Sequence, residues 1–235
     1  MPRLSWIDDT VLKQEVSLLL TIAKDAQRNA PKVFGNNIID PFAAIFEMSG
    51  FEIDYPTWVR NETIRQVQKT LANHIGDFHQ NILGSTKNWE NKKVGNIIDL
   101  VSVENKIIAE VKNKFNTISG GKLSDLYNSL DRLVSPKTSI YKGYTAYYVA
   151  IIPKNGKRYD KLFAPSDKEK EEKCSANEKI REIDGASFYS LVTGSEKALE
   201  DLFDVLPEVI HECSDGKYHL KDKDNLKAFF NLAYK

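Results

Sequence analysis

Residues 94–117 read VGNIIDLVSVENKIIAEVKNKFNT, and the fold turns on how this stretch pairs with itself. Two apolar runs, 96–101 and 106–111, flank a polar link at 102–105. Short apolar runs bounded by turn-forming residues read as strands, so the stretch predicts a hairpin. The first run carries one acid, Asp99, and the second ends in Glu110, Val111 and Lys112. Side chains alternate faces along a strand, which sends Glu110 and Lys112 one way and Val111 the other, toward the core. The spacing from Asp99 to Glu110 allows a strand end, a turn and a return, so the two acids can meet across the pair. Charged groups that interrupt apolar strands carry a desolvation cost unless partnered. Two carboxylates with a backbone carbonyl and waters suit Mg²⁺, which prefers oxygen ligands. A lysine beside them suits hydrolysis of a phosphodiester. The bare triplet also fits an edge hairpin whose polar face lies in water, and the pattern alone leaves that alternative open.

Outward from the hairpin, helices come first. The chain predicts a helix over 1–30, ended by Pro31, and a second opened by Asp40-Pro41, with Phe42, Ile45, Phe46 and Met48 as its apolar side. A third begins near Pro56 and runs through Gly76 or beyond, with Trp58, Val59, Ile64, Val67, Leu71 and Ile75 as its buried stripe. His79 to Gly84 then reads as a polar connection. After the hairpin, 118–122 reads as flexible, and Ser124 as the cap of a helix over 125–133. Residues 144–152, dense in Tyr, Val and Ile, predict a strand, and 180–183 a shorter one. The charged run between them, SDKEKEEKCSANEK, reads as a solvated helix or loop. Helices over 186–192, 195–210 and 222–235 close the chain. The expected class is α/β: a central mixed sheet flanked by helices. One domain is expected over 1–235, with a helical part at 1–90, a sheet core at 91–155 and a second helical part at 156–235.

Composition is consistent with this. Lysines and arginines number 33 against 33 acids, a formal net charge of +0. That balance does not announce a nucleic-acid binder, yet a neutral chain can still segregate a basic cleft. Two cysteines without a CxxC pair point to a reducing cytoplasm. No signal peptide and no membrane-spanning run is read. His211, Cys213 and His219 match no common zinc spacing.

The string GNIIDLVSVENKIIAEVKNKFNT, with Asp99 and Glu110-Val111-Lys112, resembles the PD-(D/E)xK nucleases, and within them the type II restriction endonucleases that recognise GGNCC. HQNILG at 79–84 and REIDGASFYSLVTG at 181–194 extend the resemblance. It departs at one place, with Ile98 where the superfamily carries proline before the aspartate. The resemblance implies a restriction-endonuclease-like core, with Asp99 and Glu110 as Mg²⁺ ligands and Lys112 as the catalytic lysine. It also implies double-strand breaks in DNA that leave 5′-phosphates, and a homodimer matched to a palindromic site. A cognate DNA methyltransferase would act on the same site without a required stable complex. Glu62, in competition with Glu47, is a candidate further metal ligand, although both also read as solvated helix residues. Asn113, Lys114, Asn116, Thr117, Lys122, Arg132 and His79 are candidate DNA contacts, for each of which an ordinary surface or structural role is the alternative. Two other readings remain, a catalytically inactive nuclease fold that binds DNA and a structure-specific repair nuclease.

Overall fold

The computed structural model describes residues 2–92, 97–167, 169–216 and 223–234. Residues 94–96 of the hairpin and His219 lie outside the described residues. A six-stranded mixed sheet runs in the order β1 (Glu90–Asn91), β2 (Leu100–Ser102), β3 (Ile107–Lys114), β4 (Thr145–Ile152), β8 (Ile180–Asp184) and β5 (Asp160–Leu162). The expected hairpin is β2–β3, antiparallel, with Leu100 opposite Ala109 and Ser102 opposite Ile107. β3, β4 and β8 run parallel. A two-stranded ribbon, β6 (Ser166–Asp167) with β7 (Glu172–Lys173), stands apart. The class expected from the sequence, α/β with a mixed central sheet, is the observed one.

The two faces of the sheet bury different helices. Leu100, Ala109, Val111, Val149, Ile151 and Ile183 pack with residues of α1 (Asp9–Val33), α3 (Tyr55–Gly84), α5 (Gly185–Thr193) and α6 (Ala198–Cys213). Val101, Ile108, Ala146, Tyr148 and Ile180 pack on the other face with Tyr127, Leu130 and Val134 of α4 (Gly120–Val134), which carries the crossover from β3 to β4. Burial on both faces explains why β3 and β4 read as near-continuous apolar runs.

Local caps set the helix starts. Asp8, Asp40, Asp54 and Asp184 each sit before a helix and accept a hydrogen bond from a first-turn amide. Such a cap satisfies one of the amides a helix start leaves without a partner. α1 runs past Pro31 to Val33, because packing that buries Ala30 outweighs the proline's local bias. α3 continues through the expected connection at 79–84, since Phe78, Ile82 and Leu83 form an inward face. α4 starts at Gly120 rather than after Ser124, whose hydroxyl instead donates to the Gly121 carbonyl at 3.1 Å. The charged run at 166–179 forms short strands, so 156–235 is not purely helical. In α2 (Pro41–Gly50) the apolar side points outward. Phe42, Ile45 and Phe46 are exposed, and Ala44 is the buried residue.

Two strings with no chemistry of their own prove to be joints of the scaffold. His79 Nδ1 and the Tyr189 hydroxyl lie 2.8 Å apart in a hydrogen bond, with the rings edge to face. This joins HQNILG on α3 to REIDGASFYSLVTG on β8 and α5. Gly84 and Gly185 mark the closest approaches. A Cβ at Gly84 would fall 2.7 Å from the Asn91 backbone, and one at Gly185 would fall 2.4 Å from the Ile151 carbonyl oxygen.

Two outcomes are expected. Gly185→Ala forces α5 away from β4 and should cost about 2–4 kcal/mol in a urea denaturation curve. Burial pushes the pKa of His79 down from 6.5 to about 4. The unfolded chain therefore takes up a proton that the folded one refuses. The contribution is complete above pH 6.5 and is lost as pH falls through about 4, on the order of 3 kcal/mol in all. His79→Gln, which can still bond Tyr189 but does not titrate, should lose less stability between pH 7 and pH 4 than the wild type in the same assay.

Candidate active site

The hairpin brings the acids together by pinning the backbone on both sides of Asp99. The Asp99 amide donates to the Ala109 carbonyl at 2.9 Å, and its carbonyl accepts from the Lys92 amide at 2.8 Å. Its side chain accepts from the Val111 amide at 2.7 Å. The alternation set by the Leu100–Ala109 pair then places Asp99 and Glu110 on the same face, the one covered further along by α4. The two carboxyl groups come within hydrogen-bonding reach of each other. Lys112, next on that face, sets its Nζ 2.5 Å from Glu110 Oε1. Val111 is buried on the opposite face, as the alternation predicts.

The electrostatics follow from this crowding. Burial raises the proton affinity of Glu110, and the neighbouring Asp99 charge raises it further. Lys112 opposes both, and the carboxyl settles at about 7. Burial likewise raises Asp99, against the Val111 hydrogen bond and the Lys112 charge. Beside them, Tyr148 lies opposite Glu110 in the sheet, and its phenol is pushed up to about 12, first by burial and then by Glu182 and Glu110. Two carboxylates that hold back from ionising together form a place that favours a cation. Among the described residues no group of three or more His, Cys, Asp or Glu stands ready to hold a metal. A cation here would draw on Asp99, Glu110, a backbone carbonyl and water. That oxygen-only set fits a hard divalent ion.

Two residues near this spot were not legible in the sequence. Asp77 of α3 adds its charge to the field on Asp99, and Gln80 one turn on donates to the Val111 carbonyl at 3.3 Å. Only the helical continuation of α3 could have pointed to them. Glu62, expected as a further carboxylate, is elsewhere. It lies about 22 Å of helix before Asp77, buried under bonds from Arg65 and Gln66, and the Arg65 hydrogen bond lowers its pKa. Its competitor Glu47 lies beside it and accepts the Trp58 indole N–H at 2.8 Å.

The other candidates divide by position. Lys114, Asn116, Thr117 and Lys122 are exposed where β3 leads into the first turn of α4. Thr117 closes that turn by donating to the Lys114 carbonyl at 2.8 Å. Asn113 turns to the opposite face from Lys112, toward the Ala72 carbonyl of α3 at 3.5 Å. Arg132 is exposed in the last turn of α4, about 15 Å of helix beyond Lys122. His79 is committed inside the fold to Tyr189.

A sequence model of the Eco47II restriction endonuclease family matches residues 4–214. The chain belongs to the Eco47II restriction endonuclease family. The Type II restriction enzyme Eco47II of Escherichia coli is 46% identical over 239 residues that span all of both chains. The Type II restriction enzyme Sau96I of Staphylococcus aureus is 29% identical over 97% of this chain and 87% of its own. No solved structure matches. Membership of this family makes the chain a restriction endonuclease, a phosphodiester hydrolase. The crowded carboxylates are then the place to look for its chemistry.

Such crowding should leave a thermodynamic mark. Asp99→Asn keeps an acceptor for the Val111 amide and removes one of two facing charges. In EDTA at pH 8 it should raise stability on the order of 1 kcal/mol, read by urea denaturation, and with a divalent metal supplied it should no longer cleave DNA. A loss of stability in this variant would mean that the acid is there for structure.

Proposed function

We propose that this chain makes Mg²⁺-dependent double-strand breaks at a short palindromic DNA site, GGNCC, leaving 5′-phosphates. It acts in the cytoplasm as the nuclease of a restriction–modification system. One observation carries the reading: Asp99, Glu110 and Lys112 converge on one face of a buried hairpin. They do so in a chain whose full length aligns with a type II restriction enzyme. The site sequence GGNCC follows from the resemblance of that hairpin string.

In this reading Asp99 and Glu110 hold Mg²⁺. The bound ion stabilises negative charge on the phosphate and lowers the pKa of an attacking water. The chain's own residues do the rest. The Val111 amide orients Asp99, which leaves a carboxylate oxygen for the cation. Glu110 would hold the ion as its carboxylate, the form favoured above about pH 7. Lys112, already 2.5 Å from Glu110, is placed to orient the water and to offset charge gathered on the phosphate in the transition state. Lys114, Asn116, Thr117 and Lys122 extend from the same strand and supply phosphate and base contacts, with Asn113 and Arg132 at the margins. Double-stranded DNA is the substrate and a second copy of the chain the partner. A methyltransferase of the same site needs no stable complex with it.

Digestion of a sequenced plasmid with Mg²⁺, followed by sequencing of the fragment ends, tests this. Discrete fragments ending at GGNCC are expected. A smear would favour a structure-specific repair nuclease, and binding without cleavage an inactive fold. Asp99→Ala should abolish cutting while keeping specific binding in a gel-shift assay. Lys112→Ala should lower the single-turnover rate roughly 10²–10⁴-fold. Brisk cutting by Asp99→Ala would overturn the assignment.

A further inference from the structure

We propose that the outward face of α2 is the surface through which two copies of this chain meet. This rests on the restriction-endonuclease reading, because breaking both strands of one palindromic site takes two catalytic sets. Within a hairpin the described chain brings one such set together.

Phe42, Ile45 and Phe46 stand at i, i+3 and i+4, so they share one face of α2. They are 72%, 61% and 76% exposed. Ile38 precedes them, and Phe51 and Tyr55 follow at the helix end and the start of α3, all well exposed. Each aromatic side chain carries about 200 Å², so four rings at these exposures present on the order of 550 Å². With the two isoleucines the patch approaches the roughly 800 Å² per partner of a specific interface. Apolar patches of this extent mark interaction sites.

The charges around the face select the occupant. From Ile38 to Tyr55 the chain has four acids and no Lys, Arg or His. Such a segment repels phosphate, which excludes the DNA backbone, and it lacks the basic rim of a membrane-surface helix. Three of the acids are already engaged. Asp40 and Asp54 cap α2 and α3, and Glu47 holds the Trp58 indole. The Phe42–Ile45–Phe46 face of α2 is therefore uninterrupted by charge, and the fourth acid, Glu52, lies past the helix between Phe51 and Tyr55. A helix with such a face can pack on its own copy about a two-fold axis, the self-complementary contact of a closed dimer, with Phe42 and Phe46 as the anchoring rings.

The test is sedimentation of the full chain, free and with a short duplex, beside plasmid cleavage. The wild type is expected to sediment as a dimer. Phe46→Glu is expected to sediment as a monomer with an unchanged far-UV circular dichroism spectrum, and to cut roughly tenfold or more slowly at low protein concentration. Phe46→Ser, which removes the ring without adding charge, should weaken the dimer in the same direction and remains readable if the glutamate disturbs folding. Phe229→Glu, at an exposed ring of α7 (Lys223–Ala233), should stay dimeric. The inference is overturned if both Phe46 variants stay dimeric, if Phe229→Glu alone dissociates, or if the wild type is monomeric both free and on DNA. A wild-type dimer split by Phe46→Glu that cuts no DNA sinks the nuclease reading and keeps the interface. A monomer that breaks both strands does the reverse.

Discussion

Two carboxylates that repel each other stand side by side because the backbone holds one of them in place. The Val111 amide donates to Asp99 at 2.7 Å, and the main chain of Asp99 is bonded on both sides to neighbouring strand residues. Without the facing Asp99 charge, burial alone would still hold the Glu110 carboxyl above the ordinary carboxylate range. Burial raises the proton affinity of both, and the facing Asp99 charge raises that of Glu110 further. Lys112 offsets part of the repulsion from the side. The result is a local conflict tolerated by a sheet buried on both faces, the condition under which proteins keep strained functional groups.

The two faces of that sheet carry a packed core and the crowded acids separately. On one, α1, α3, α5 and α6 complete a continuous core, and the His79–Tyr189 bond ties the end of α3 to α5. Gly84 and Gly185 let backbone meet backbone at that layer. On the other face α4 covers the middle of the sheet, while Asp99, Glu110 and Lys112 lie on the same side toward its β1 edge. The turn from β3 into α4 then carries polar residues directly away from the acids. Because β3 continues into that turn, contacts made by Lys114 or Thr117 are mechanically joined to the acids a few residues before.

Much of this was legible because it is local. Strand alternation placed Glu110 and Lys112 together and Val111 opposite, and the spacing to Asp99 allowed one hairpin. Burial on both faces wrote β4 and the first half of β3 as apolar runs. Where the reading failed, a long-range contact decided. α3 runs through 79–84 because Ile82 and Leu83 find the core, which polar neighbours in sequence concealed. Glu62 met Arg65 and Gln66 instead of the hairpin because helix length carries it away. Asp77 and Gln80 came near the acids for the same reason, since the rise of a helix fixes which of its residues reach a given strand.

The sequence by itself determined the pairing of the hairpin and the type and face of its charged residues. These follow from a period of two and from the cost of burying charge. Only the tertiary structure decided how strongly the acids are forced together, which residues of α3 come near the hairpin and which way α2 faces. The apolar stripe of α2 has the spacing of a core helix. Whether such a stripe meets the core or solvent depends on what lies across from it, and here only Ala44 is buried. Periodicity says that a face exists; its partner is set by the packing of segments distant in the chain.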